Sequence, residues 1–307
     1  MVINSILEVV GNTPLLKLNK IIKRYDLKAN LYAKLEYLNP TGSVKDRTAL
    51  YIIEQAKKQG LLSDGATIIE ATSGNTGIGL AMACKVMGYK LILTMPSSMS
   101  EERQKILKAY GAKIVLTDSE KGMQGSIEKA KELNAQIKGS IIANQFTTDA
   151  NLLAHYETTG KEIYNALDGN VDIFVSAIGT AGTLIGTAKY LKEQNKDIKV
   201  YGVEPSSSPL LTKGYSGSHA IQGIGANFIP PLFDKNYCDG VYTCSDTDSV
   251  KYAKEIAKTE GFLAGFSSGA VLSVAVDLAK KEENANKNIV VVFPDGGDRY
   301  YSTEIFK

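Results

Sequence analysis

Short aliphatic and β-branched runs alternate with helical patterns along most of this chain. That alternation restricts the fold more than any other feature. The runs lie at residues 31–35, 67–70, 90–94, 113–116, 141–144, 172–176, 199–203 and 288–293. Each is short enough for one strand, and most are separated by a helical pattern, as at 44–59, 76–87, 100–110, 183–193, 249–259 and 269–281. Several helical patterns stop at glycine (Gly60, Gly88, Gly111, Gly261), the residue that accepts the left-handed conformation after a helix. Strands joined through helices run parallel, so the expected class is α/β, with mostly parallel twisted sheets flanked by helices. A chain of 307 residues suits two such domains, predicted at 1–147 and 148–307. No flexible linker marks the boundary. Ligands in such sheets bind beyond the carboxyl ends of strands, so the site is expected in the cleft between two packed domains.

Composition excludes several functions. Apolar residues make up 44%, enough for a sizeable core. Lys+Arg of 35 against Asp+Glu of 33 leaves a net charge of +2 with no long single-sign block, so a nucleic-acid surface is not indicated. No signal peptide and no bilayer-length apolar run is visible, and a soluble cytoplasmic protein is expected. Cys84, Cys238 and Cys244 are too scattered for a disulfide framework or a CxxC site, and two histidines exclude a His-rich metal site.

Lys45 stands out chemically. Asn39-Pro40-Thr41-Gly42 reads as a turn, Ser43 and Asp46 resemble a capping box, and an apolar periodic segment follows. Lys45 therefore falls in a first helical turn, where the helix dipole disfavours a cation. One reading is a solvated surface lysine. The other is an amine whose charged form is destabilised, as a nucleophile requires.

Three strand-to-helix turns are rich in small polar residues: 70–77, 177–183 and 264–269. Each offers backbone N–H groups and hydroxyls to an anion, although tight turns occur in any doubly wound fold. None reads GxGxxG, and no GxxxxGK[ST] occurs. Gly265-Phe266-Ser267-Ser268-Gly269 matches the GxSxG nucleophile elbow of hydrolases. That chemistry needs a later histidine, and both His155 and His219 precede Ser267. A Ser–Lys pair at Ser43 and Lys45 has SxK spacing in place of SxxK. An amine together with anion-binding turns would suit an aldehyde cofactor carrying a phosphate. Pyridoxal 5′-phosphate is one candidate among several.

Longer motifs carry a resemblance. From Gly11-Asn12-Thr13-Pro14-Leu15 to Pro294-Asp295-Gly296-Gly297-Asp298-Arg299-Tyr300, the chain resembles the cysteine synthase (O-acetylserine sulfhydrylase) family. That family belongs to the pyridoxal-phosphate β-family (fold type II, tryptophan-synthase-β-like), which includes cystathionine β-synthase. The resemblance implies that Lys45 holds the cofactor as a Schiff base and, once freed, acts as the base for the α-proton. It implies that Asn75 bonds the ring hydroxyl oxygen, and that Gly179, Thr180, Ala181, Gly182 and Thr183 cradle the phosphate. Ser267 would partner the pyridine nitrogen. Thr72, Ser73, Gly74 and Thr76, with Gln145, would grip the substrate carboxylate, and Gly223 and Asn227 would border the substrate. Part of the first ~40 residues is expected to pack on the second domain.

The implied reaction is β-replacement: O-acetyl-L-serine and sulfide give L-cysteine and acetate through a bound aminoacrylate. A homodimer, and serine acetyltransferase as partner, are further implications; a catalytically silent scaffold for that acetyltransferase is a remote alternative. Two departures from the family pattern bear on the site. Ala181 replaces a glycine of the phosphate turn, with little effect expected if its φ is negative. Asn227 replaces another glycine. Either it touches substrate, which would favour an enzyme releasing hydrogen sulfide from L-cysteine, or it occupies a left-handed backbone position.

Overall fold

The computed structural model describes residues 2–307. Ten strands occur among them: β1 (Leu15–Lys17), β2 (Asn30–Leu35), β3 (Thr67–Ala71), β4 (Lys90–Pro96), β5 (Lys113–Thr117), β6 (Ile141–Ile142), β7 (Ile173–Ala177), β8 (Lys199–Pro205), β9 (Gly240–Cys244) and β10 (Asn288–Phe293). The chain divides into two compact units. One comprises the residues up to Val10 and Asn39–Asn151, the other Gly11–Leu38 and Leu152–Lys307.

The first unit holds a four-stranded parallel sheet in the order β5-β4-β3-β6. Side chains alternate between its faces, as the strand period of two requires. Ile68, Leu91 and Leu93 join the cluster containing Ala49, Ile53 and Leu80, from the helices Lys45–Lys58 and Asn75–Met87. Ile69 and Ile92 point the other way, to Ala130 of the helix Gly122–Gln136. Both faces are covered, so its inner strands carry the apolar runs Ile68–Ile69 and Leu91–Leu93.

The second unit holds a six-stranded sheet in the order β1-β2-β10-β7-β8-β9, parallel except for the antiparallel edge pair β1 and β2. Alternation again separates two cores. Phe174, Val200, Val290 and Val292 pack with Leu184, Ala188 and Leu191 of the helix Gly182–Gln194. Ile173, Val175, Ile289 and Val291 pack with the helices Asp246–Glu260 and Phe266–Ala279. The expected class, α/β with largely parallel sheets flanked by helices, is what the chain forms. No helix among the described residues is long and apolar enough to cross a membrane.

Candidate active site

Lys45 opens the helix Lys45–Lys58. The expected capping box is not what holds this turn. Val44 is the N-cap, and no side chain caps the helix. Ser43 Oγ accepts from the Lys45 N–H at 3.3 Å, while the Asp46 carboxylate turns back to Thr41, accepting its N–H at 2.6 Å and its hydroxyl. Gly42, at φ 82, folds Thr41 within reach of Asp46. Asp46, Arg47 and Thr48 are buried while Lys45 is half-buried. The neighbouring helix crosses here at Gly79, where a Cβ would lie 2.9 Å from the Lys45 carbonyl oxygen. The backbone beneath the lysine is thus fixed from two sides.

The 72–76 turn joins β3 to the helix Asn75–Met87, whose N-cap Gly74 carries no side-chain cap. The Gly74 N–H donates to Thr72 Oγ1 at 3.2 Å, and an uncapped helix start of this kind suits an anion. Thr76 Oγ1 donates to Gln145 Oε1 at 2.6 Å. The Gln145 carbonyl accepts from Asn151 Nδ2 at 2.8 Å, and Asn151 Oδ1 accepts from Thr48 Oγ1 at 3.1 Å. A buried relay of hydrogen bonds therefore runs from the lysine helix through Asn151 and Gln145 to the 72–76 turn. Lys45, Thr76 and Gln145 belong to one connected assembly within the first unit.

Glu70 supports that assembly and was not anticipated from sequence. Its buried carboxylate, at the end of β3, accepts the N–H of Asn144 at 2.9 Å and of Gln145 at 3.3 Å. Desolvation pushes its pKa up to about 7, against those hydrogen bonds, which favour the charged form. The folded pKa lies above the unfolded one, so the native state binds the extra proton between roughly pH 4.5 and 7. The stability this group contributes is complete below that window and lost as pH rises through about 7. Urea unfolding at pH 5 and pH 8 checks this. The wild type should lose more stability on the rise than Glu70→Gln does; equal losses would contradict it.

In the second unit, β7 leads into the 179–183 turn and the helix Gly182–Gln194. Thr180 Oγ1 accepts from the Gly182 N–H at 3.3 Å, and no side chain caps the helix. Gly179 has no room for a side chain, because a Cβ would lie 2.5 Å from the Gly223 carbonyl oxygen. The Gly225 N–H donates to the Ile178 carbonyl at 3.1 Å. Gly223 and its loop are thereby stitched to the turn. Ala181 corrects an expectation: its φ is +68, in the left-handed region, so the methyl is strained. Ala181→Gly should raise stability to urea by about 1 kcal/mol. A less stable variant would show that the buried methyl's packing outweighs the strain. Of the two readings of Asn227, the left-handed backbone position falls away. The residue is exposed, and the left-handed residues of its loop are Gly223 and Gly225.

Ser267 is buried in the first turn of the helix Phe266–Ala279, which packs on β7. The glycines around it serve packing. A Cβ on Gly269 would lie 2.7 Å from the Ala253 nitrogen and closer still to the Ser249 carbonyl oxygen. A Cβ on Gly265 would strike the Asp295 carboxylate and Tyr300. Asp295, whose carboxylate accepts from the Tyr300 hydroxyl at 2.6 Å, also accepts the Gly265 N–H through its carbonyl at 3.1 Å. The closing Asp-Gly-Gly segment thus buttresses the serine turn.

Taken separately, the first unit supplies an amine on a fixed helix start and the second a glycine-tight turn at a helix N-terminus, the two kinds of group that an aldehyde bearing a phosphate uses. Residues 6–295 match the model of the pyridoxal-phosphate dependent enzyme family. The chain belongs to that family, and its cofactor is pyridoxal phosphate. A cysteine synthase of Staphylococcus aureus (strain Mu50 / ATCC 700699) is 43% identical over 305 residues, 99% of this chain and 97% of the relative. A cysteine synthase structure from Entamoeba histolytica superposes with a TM-score of 0.97 at 43% identity, covering 100% of this chain and 91% of that one. A hydrogen sulfide-producing enzyme from Fusobacterium nucleatum gives 0.93 at 46% identity, covering 98% of each chain.

Proposed function

We propose that the protein makes L-cysteine and acetate from O-acetyl-L-serine and sulfide by β-replacement. The observation that carries this reading is the hydrogen-bonded continuity of the lysine helix with the 72–76 turn, which gives an amine and a carboxylate grip a fixed relation. Lys45 anchors the cofactor, the 179–183 turn holds its phosphate, Asn75 its ring hydroxyl oxygen, and Ser267 its ring nitrogen. Bound there, pyridoxal phosphate withdraws electrons from the substrate's α-carbon. The Lys45 amine removes the α-proton, while Thr72, Ser73, Gly74, Thr76 and Gln145 orient the carboxylate. Ser267 offers a neutral hydroxyl where an aspartate would stabilise a protonated ring. The electron withdrawal stays weak, which favours prompt loss of the β-substituent over racemisation or transamination. The same reading takes the protein as a homodimer that binds serine acetyltransferase, in a reducing compartment that suits its three free cysteines.

A second reading is favoured by Asn227. No left-handed backbone requires a residue of its kind there, its side chain is exposed, and Gly223 and Gly225 connect its loop to the phosphate turn. If Asn227 bonds substrate, L-cysteine becomes a donor, hydrosulfide leaves, and water or a second thiol adds to the β-carbon in its place. Turnover of O-acetylserine plus sulfide, set against sulfide release from cysteine alone, tests both readings. Preference for the first pair supports the synthase. For the second reading, Asn227→Gly should lower sulfide release about tenfold relative to synthesis, the loss expected for one hydrogen bond. An unchanged ratio removes Asn227 from substrate recognition.

A further inference from the structure

The chemistry above leaves His155 unused, although it is fully buried. It begins the π-helix His155–Gly160, and its ring bridges two hydroxyls. Nδ1 lies 2.9 Å from Thr159 Oγ1, itself fully buried, and Nε2 lies 3.1 Å from Thr183 Oγ1. Gly186 permits this approach. A Cβ there would lie 2.8 Å from His155 Cβ and closer still to the Leu152 carbonyl oxygen. The ring is therefore clamped against the helix that starts at the 179–183 turn.

We infer that His155 is a positioning residue for that turn, held in the Nε2–H form so that the Thr183 hydroxyl hydrogen is directed to a phosphate oxygen. A hydroxyl donates one hydrogen and accepts at two lone pairs. If Thr183 gave its hydrogen to the imidazole, its oxygen would face the anion with lone pairs only. Donation from Nε2–H to Thr183 Oγ1 leaves that hydrogen for the anion. Nδ1 then accepts, and the Thr159 hydroxyl is the donor beside it. Thr159, able to donate as well as accept, gives that ring nitrogen the partner this tautomer needs. The inference rests on the reading of residues 179–183 as the phosphate cradle.

The holoenzyme allows a direct test, because His155 and His219 are the only histidines. Imidazole 15N spectra, assigned with His219→Asn, should show His155 protonated at Nε2 and bare at Nδ1. An Nδ1–H ring or a doubly protonated ring overturns the inference. Variants supply the second arm. Gln reaches the Nε2 position with an N–H donor, whereas Asn reaches only the Nδ1 position. His155→Gln should keep the cofactor dissociation constant within about threefold, and His155→Asn should raise it about tenfold or more, with a shifted phosphate 31P resonance. Equal behaviour of the two variants means a purely structural histidine and overturns the inference. Thr183→Val separates the two layers. If it binds cofactor as tightly as wild type, the cradle reading itself has failed. If it loosens cofactor while both His155 variants bind normally, only the role of His155 has failed.

Discussion

Lys45→Ala protein is expected to turn over O-acetylserine at least about a thousandfold more slowly than wild type, since one side chain supplies both the cofactor anchor and the base. Folding should survive. Lys45 is half-buried at a helix start, alanine is the best helix former, and removing a cation from the positive end of the dipole favours the helix by about 0.3–1 kcal/mol. The backbone there is held by Asp46 with Thr41 and by the close approach at Gly79, neither of which uses the lysine side chain. Urea unfolding of the cofactor-free proteins should therefore give equal or slightly higher stability for the variant, while kcat/KM collapses. Activity within tenfold of wild type would remove Lys45 from the chemistry.

Gly269→Ala carries the largest expected cost in stability. The helices Asp246–Glu260 and Phe266–Ala279 pack at this glycine, with Ser249 Oγ donating to the Phe266 carbonyl at 2.7 Å. An added methyl meets the Ser249 carbonyl oxygen and the Ala253 nitrogen, both backbone atoms of the facing helix. No rotamer change relieves such a contact, so the helices must separate. A loss of about 3 kcal/mol is expected, toward the upper end for overpacking. Ser267, two residues away, would shift with its helix, so cofactor affinity should fall as well. Urea unfolding with and without cofactor measures both effects. A loss under about 1 kcal/mol would mean that the helices part without strain.

The inner strands were readable because burial on both sheet faces favours apolar runs, as in residues 289–293. The edges were not. β1 and β9 expose part of each face and carry Lys17, Tyr242 and Thr243, so they lack that signal. The run at 141–144 pairs only over Ile141–Ile142, because Asn144 turns left-handed at φ 53 to give its N–H to Glu70. The same division holds at the site. The helix starts at Lys45 and at the glycine-rich turns were legible because their signals are local in sequence. Asn151 was not, since its partner Thr48 lies 103 residues away. Ala181 looked harmless because a sequence carries no φ. The glycines of the GxSxG match suggested a nucleophile elbow, whereas each has a close packing neighbour.

The central claim is that Lys45 binds the cofactor aldehyde. Borohydride reduction of the purified protein, followed by peptide mapping, tests it most directly. The reduced pyridoxyl group is expected on Lys45. Stoichiometric label on any other lysine, with Lys45 unmodified, would contradict it.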